Sequence, residues 1–134
     1  MYIEQALFSK LDGTSAITAL VGHRIEYIRA RQDVKSPYIV FQKISDIPKA
    51  KTLDGASPLQ EARFQISVFA SSYKTCKDIA DAIQTAIDGF KGTMGGTGGV
   101  SVGDCAHDND NDLPYDEPTQ LFGIEADYLI IYTR

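Results

Sequence analysis

The residues best placed to do chemistry form a short acidic run near the end of the chain. Asp108-Asn109-Asp110-Asn111-Asp112 puts carboxylates at positions 1, 3 and 5, as at the start of a calcium-binding EF-hand loop. The later positions depart from that loop, because Leu113 stands where glycine is required and Thr119 where a bidentate glutamate is required. Asp108, Asp110 and Asp112 are therefore weak candidates for a cation site, and a solvated acidic loop is the preferred interpretation.

Two histidines and two cysteines are the other candidate reactive groups. Cys105 and His107 could form a nucleophile–base pair or half of a metal site, but nearness along the chain does not orient a base. Zinc needs four ligands in a recognisable spacing, which these residues and Cys76 do not provide. The two cysteines lack CxxC spacing and are expected to be free thiols. Since no GxSxG element is present either, we predict no catalytic residue, no cofactor and no enzymatic activity.

A glycine-rich segment over 92–99 has the composition of a loop but not the order of a nucleotide-binding one. It contains five glycines in eight residues. A phosphate-binding loop ends in GK[ST] and opens a helix, whereas these glycines follow a predicted helix and no lysine succeeds them. We therefore interpret the segment as a flexible linker.

Length and charge limit the possible classes of protein. The 134 residues are enough for one domain, and 43% hydrophobic with 23% charged residues is ordinary for a globular chain. No apolar run is long enough for a transmembrane helix, so no membrane association is expected. The net charge of −5 argues against a DNA-coating protein. It divides unevenly, because residues 1–77 carry +4 and residues 78–134 carry −9.

Hydrophobic periodicity predicts the elements that position these groups. Apolar residues spaced three or four apart predict a helix over 3–11, a short helical turn from Thr14 or Ser15 to Gly22, and a long amphipathic helix from Tyr73 to about Asp88. Alternation predicts a short edge strand or extended arm over Arg24–Ala30. It also predicts four further strands, over Tyr38–Ser45, Leu59–Ala70, Val100–Cys105 and Leu121–Thr133. The order indicates a single α+β domain over 1–134, with an antiparallel sheet of about four strands and the helices packed on it.

Two connections are unusually long for so small a domain. Residues 46–58 form a predicted 13-residue loop that contains Lys49, Lys51 and Asp54, although a hairpin needs only two to five residues. Residues 92–118 are expected to be a flexible segment, first glycine-rich and then acidic. Aromatic and basic residues interleave over 24–43, as in some single-strand nucleic-acid binders, but their alternation fits a sheet core better.

The order of short local patterns resembles a known family. The patterns are Ala19-Leu20-Val21-Gly22-His23-Arg24-Ile25, then Pro37-Tyr38-Ile39-Val40-Phe41-Gln42, then Lys51-Thr52-Leu53-Asp54-Gly55, and finally Ala62-Arg63-Phe64-Gln65-Ile66-Ser67-Val68-Phe69-Ala70. With a helix ending Ala86-Ile87-Asp88-Gly89 and an aromatic closing strand, the chain is similar to the tail-completion proteins of long-tailed phages, prophages and gene transfer agents. These are also called tail terminators or head–tail joining proteins.

The resemblance implies an α+β subunit of a homo-oligomeric ring, usually hexameric, that caps the tail tube and docks the head–tail connector or stopper. DNA would pass through the ring lumen, and the protein would be assembled in the bacterial cytoplasm into the virion. A ring repeats one heterologous contact, which the basic and acidic halves could supply. The interface candidates are Arg24, Arg29, Arg31, Lys49, Lys51 and Asp54.

A second interpretation comes from a different functional class. The acidic run or the basic half could belong to a monomeric cation-binding or nucleic-acid-binding module. Mass in solution separates the two, since a ring supports the structural role and a strict monomer stabilised by calcium supports the binding module.

Overall fold

The computed structural model describes residues 1–30, 35–49 and 58–134 and confirms a single α+β unit. These described residues form three helices and six strands, in the order α1 (Ile3–Asp12), α2 (Ser15–Val21), β1 (Ile25–Tyr27), β2 (Tyr38–Pro48), β3 (Leu59–Ala70), α3 (Tyr73–Ile87), β4 (Gly92–Met94), β5 (Val100–Asp116) and β6 (Leu121–Thr133). Within the described part of the chain, no helix is long and apolar enough to cross a membrane.

All six strands belong to one sheet, in the order β1-β2-β3-β6-β5-β4. The expected antiparallel sheet of about four strands is therefore wrong in two respects: there are six strands, and β1 runs parallel to β2. The two short edge strands account for the difference in number. β1 lies within the edge strand or extended arm expected over Arg24–Ala30. β4 was not expected, because its three residues are too few for a periodic pattern and lie in the segment expected to be a flexible linker.

The centre of the sheet follows the sequence pattern closely. β3 and β6 pair without a break from Leu59 opposite Thr133 to Ala70 opposite Phe122. Alternate residues of β3, including Phe64, Ile66 and Val68, are buried on the face that the helices cover. The intervening polar side chains are half-buried on the opposite face, which we call the open face.

The helices supply the other half of the core. Ser72 caps α3 by accepting a hydrogen bond from the Thr75 amide at 3.1 Å, and the helix then buries one apolar stripe. The stripe packs on the sheet together with residues of α1 and α2: Cys76, Ile79, Ile83 and Ile87 from α3, Leu7 and Leu11 from α1, and Ile17 and Val21 from α2. The predicted helices are confirmed to within one or two residues at their ends.

Both long connections are shorter than expected, because strands extend into them. β2 continues through Pro48, so residues 46–48 belong to the sheet and the Lys49 amide bonds the Leu59 carbonyl at 2.9 Å. The acidic part of the segment expected to be flexible over 92–118 is instead the second half of β5, paired with β6 as far as Asp116 opposite Leu121. Aspartate and asparagine have low strand propensity, but a full-length partner strand overrides that preference.

Candidate assembly interface

The far end of the β5–β6 hairpin concentrates negative charge. Residues 108–127, which we call the acidic hairpin, contain seven acidic residues and no lysine or arginine: Asp108, Asp110, Asp112, Asp116, Glu117, Glu125 and Asp127. Asp108 through Asp112 are all exposed. The outer edge of β5 is unpaired along this stretch in the described structure, because β4 covers β5 only at Val100–Val102.

The three aspartates considered for a cation point to different places. Asp108 contacts Arg63 on the open face at 2.9 Å, whereas Asp112 accepts a hydrogen bond from the Tyr73 hydroxyl at 3.0 Å on the helix-covered face. Asp110 lies 4.0 Å from the imidazole of His107. Their carboxylates therefore do not converge, and residues 1–30, 35–49 and 58–134 contain no group of three or more potential metal ligands.

Arg63 ties the acidic hairpin to the centre of the sheet. Its Nη1 lies 2.9 Å from Asp108 on β5 and 3.1 Å from Asp127 on β6. The hydrogen bond with Asp108 is the largest cause of a raised pKa for the guanidinium. Sequence reasoning did not single out Arg63, because its partners lie 45 and 64 residues away.

The cysteines and histidines do not form an activated pair. Both cysteines are buried free thiols, as expected. Burial raises the pKa of Cys105 to about 12, with the charge of Asp104 the next cause, so the thiol stays protonated near neutral pH. His107 packs edge-on against Tyr128, and His23 bonds Asp12 at 2.6 Å on the surface.

Of the candidate basic residues, Arg24 and Arg29 flank β1 at one edge of the sheet, and Lys49 follows β2. Arg24 precedes β1 and donates from Nε to the Pro37 carbonyl at 2.8 Å, and Arg29 follows β1 and is exposed. Lys49, at the end of β2, pairs with Glu61 at 3.0 Å. The remaining candidates, Arg31, Lys51 and Asp54, lie outside the described residues.

A groove runs over the open face between these two regions. One cavity of about 320 Å³ lies where residues 28–30 fold over β2 and β3, and a second of about 460 Å³ lies at the acidic hairpin. Tyr38 and Phe69 line both cavities and stack on each other with ring centroids 5.2 Å apart. Tyr27 stacks on Phe41 with ring centroids 5.0 Å apart. Phe41 is buried in the core, as the core interpretation predicted, whereas Tyr27 is 39% exposed.

A polar cluster joins α1, β2 and β6 at the other end of the sheet. Lys43 lies 2.6 Å from Glu4 and 3.2 Å from Asp46, and the Tyr132 hydroxyl donates to the same Asp46. The second oxygen of Asp46 is buried without a hydrogen-bond partner among the described residues. These contacts fix the N-terminal helix against the sheet, and their separation along the chain gave no sequence signal.

Comparison with known proteins agrees with this architecture. The family model described as "Tail completion protein gp17" matches residues 5–133. Among solved structures, a chain of "Virion of native gene transfer agent (GTA) particle" is similar with a TM-score of 0.73 and 17% sequence identity, covering 97% of this chain and 94% of that one. At that identity the structural similarity shows a shared fold and no more. The comparison with curated protein sequences found no match.

The family match therefore settles the class of protein. It spans residues 5–133, which include α2, α3, the sheet and all but the first two residues of α1, so it concerns the unit described above. The resemblance seen in the order of the sequence patterns is confirmed. The chain belongs to the tail completion protein gp17 family and is a non-enzymatic structural component of a phage-like virion.

Proposed function

We propose that this chain forms a closed, hexameric ring that caps the tail tube and joins the tail to the head connector. The supporting observation is its family membership over residues 5–133. The distribution of charge on the fold supports a ring in particular. A ring repeats one contact between two different patches, and acidic and basic regions lie at opposite sides of one sheet here.

The partners follow from this proposal. One rim of the ring would contact the tail tube, the other would contact the connector, and DNA would pass through the lumen. The segment between β2 and β3 is the proposed docking element for the tube, since it begins at Lys49 and continues through Lys51 and Asp54. Lys49 is 47% exposed while paired with Glu61, so its ammonium group is accessible to a partner carboxylate.

Electron microscopy of tail tubes mixed with the purified protein tests the proposal. We expect tubes that end in a ring, and a Lys49→Glu/Lys51→Glu variant that leaves the ends uncapped. Lys74→Glu/Lys77→Glu is the matched control, because it makes the same charge change on the exposed side of α3. Normal capping by the first variant would remove the docking role of this segment, and uncapped tubes with the unmodified protein would contradict the proposed function.

A further inference from the structure

The two outer edges of the sheet match each other in strand direction, in position along the strand axis and in charge. β1 is one edge strand, and β5 beyond β4 is the opposite edge over Asp108–Asp116. We propose that the β5 edge of one copy pairs with β1 of the next copy, so that the sheet continues from subunit to subunit. This inference rests on the proposed ring and assigns the surfaces that form it.

Strand direction permits this pairing. β1 runs parallel to β2, and successive antiparallel pairs through β3 and β6 make β5 antiparallel to β1. Rotation about a ring axis parallel to the strands preserves these directions. The β5 edge of one copy therefore meets β1 of its neighbour as an antiparallel pair, which hydrogen bonds well and needs no connection between the strands.

The register places the two edges at the same level. Ile25 shares a row of the sheet with Asp112, through Ile39, Val68 and Ile124. Glu26 shares the next row with Asn111, and Tyr27 shares the third row with Asp110. A rotation without translation along the axis brings these same rows together between neighbouring copies.

Charge selects this partner over the alternatives. Unprotected strand edges invite pairing with any other edge, and like charges directly opposite each other are destabilising. Asp108, Asp110 and Asp112 disfavour pairing of two β5 edges. Arg24 before β1 and Arg29 after it favour pairing with β1, and Glu26 meets an asparagine rather than an aspartate in the proposed register.

The edge of β5 is already closed where pairing is not proposed. The Gly89 amide bonds the Cys105 carbonyl at 2.7 Å, and the Asp88 carboxylate accepts a hydrogen bond from the His107 amide at 3.0 Å. The end of α3 thus occupies the edge at 105–107. The exposed acidic stretch begins immediately afterwards at Asp108, so the edge available to a second copy coincides with the charged one.

Two complementary charge-reversal variants test the proposal. Variant A carries Arg24→Glu and Arg29→Glu, and variant B carries Asp110→Lys and Asp112→Lys. Either one alone should associate at least about tenfold more weakly than the unmodified protein, because attractive pairs become repulsive. An equimolar mixture should recover the ring with variants A and B alternating. The acidic β5 edge of variant A then meets the basic β1 region of variant B, and the basic β5 edge of variant B meets the acidic β1 region of variant A. Size-exclusion chromatography with light scattering measures the mass.

The controls separate a wrong interface from a misfolded variant. Tyr73→Phe removes the hydrogen bond that variant B also loses at Asp112 but keeps every charge, so this variant should form rings. A second measurement uses Glu26→Cys/Asn111→Cys, which should give disulfide-linked oligomers more readily than Glu26→Cys/Leu113→Cys, two residues out of register. The native cysteines are buried and should not contribute.

The outcomes distinguish this inference from the function on which it rests. Rings formed by variants A and B separately, or equal cross-linking in both registers, would overturn the edge pairing while leaving the proposed function standing. A chain that stays monomeric both alone and on tail tubes would overturn both. The measurements are made at the concentration, or on the tube, where the unmodified protein assembles.

Discussion

Arg63 pairs with two carboxylates of the acidic hairpin where the hairpin leaves the centre of the sheet. The guanidinium contacts Asp108 and Asp127, which come from two neighbouring strands. All three side chains are partly exposed, so solvent weakens each contact. We expect Arg63→Met to lower the free energy of unfolding by about 1 kcal/mol, more at low salt than at high salt.

Urea unfolding with a double-mutant cycle measures this effect. Combining Arg63→Met with Asp108→Asn should recover part of the loss, because the second change removes an unpaired charge. Lys74→Met is the control, since Lys74 pairs with Asp78 but is 86% exposed and should contribute little. Equal losses of unfolding free energy for Arg63→Met and Lys74→Met would show that the ion pairs of Arg63 with Asp108 and Asp127 contribute no more than an exposed ion pair.

Cys105 makes the fold sensitive to alkaline pH. Its pKa is raised by burial from 9.0 to about 12, so the folded chain holds the proton more tightly than the unfolded chain. This contribution to stability is complete below pH 9 and is lost as the pH rises from 9 towards 12. Burial also raises the pKa values of Tyr128 and Tyr132, which act in the same direction.

The free energy of unfolding, measured in urea with reductant at intervals from pH 8 to 11, checks this expectation. The unmodified protein should lose stability steadily above pH 9. Cys105→Ala should show a shallower loss, by up to roughly 1.4 kcal/mol per pH unit, because one titrating proton is removed. An unchanged slope in the variant would show that Cys105 titrates normally in the fold.

At the level of the strands, Gly123 sets how closely the acidic hairpin approaches β3. A Cβ atom at this position would lie 2.9 Å from Leu113 and 3.1 Å from the ring of Phe69. The Phe69 ring thus occupies the space that a side chain would fill, and it also lines the groove. Gly123→Ala should destabilise the protein by about 1–3 kcal/mol, as overpacking does.

Gly103 in β5 provides the matched comparison. Among the described residues, a Cβ atom there would have only the Ile131 carbonyl within 4 Å, at 3.7 Å. Gly103→Ala should leave the melting temperature unchanged or raise it, because alanine restricts the unfolded chain without a clash. Thermal melts of the two variants test the difference, and a similar effect at both positions would contradict close packing at Gly123.

Sequence patterns predicted the helices and strands whose burial is periodic. They missed the segments whose structure depends on pairing with a distant strand. β3, β6 and α3 show a clear period over more than ten residues, and their predicted limits agree with the structure. The second half of β5 is rich in aspartate and asparagine, so only its pairing with β6 makes it a strand. The cluster of Lys43, Glu4 and Asp46 likewise depends on contacts between distant elements.

For the molecule as a whole, the fold places the basic residues around β1 and the acidic hairpin on different strands of the sheet. The basic residues around β1 and the acidic hairpin lie at opposite sides of a six-stranded sheet. Such a subunit has two different patches that complement each other, which is what a closed ring requires. Because the proposed contact between subunits is partly electrostatic, assembly of the proposed ring should weaken as the salt concentration rises.

Native mass spectrometry of the purified protein tests the ring most directly. We expect a species with six times the subunit mass, accompanied by few open intermediates because the last contact closes the ring. Raising the ionic strength before transfer should shift the population towards the monomer. A monomer at every concentration and ionic strength, both alone and with tail tubes present, would contradict the proposed ring.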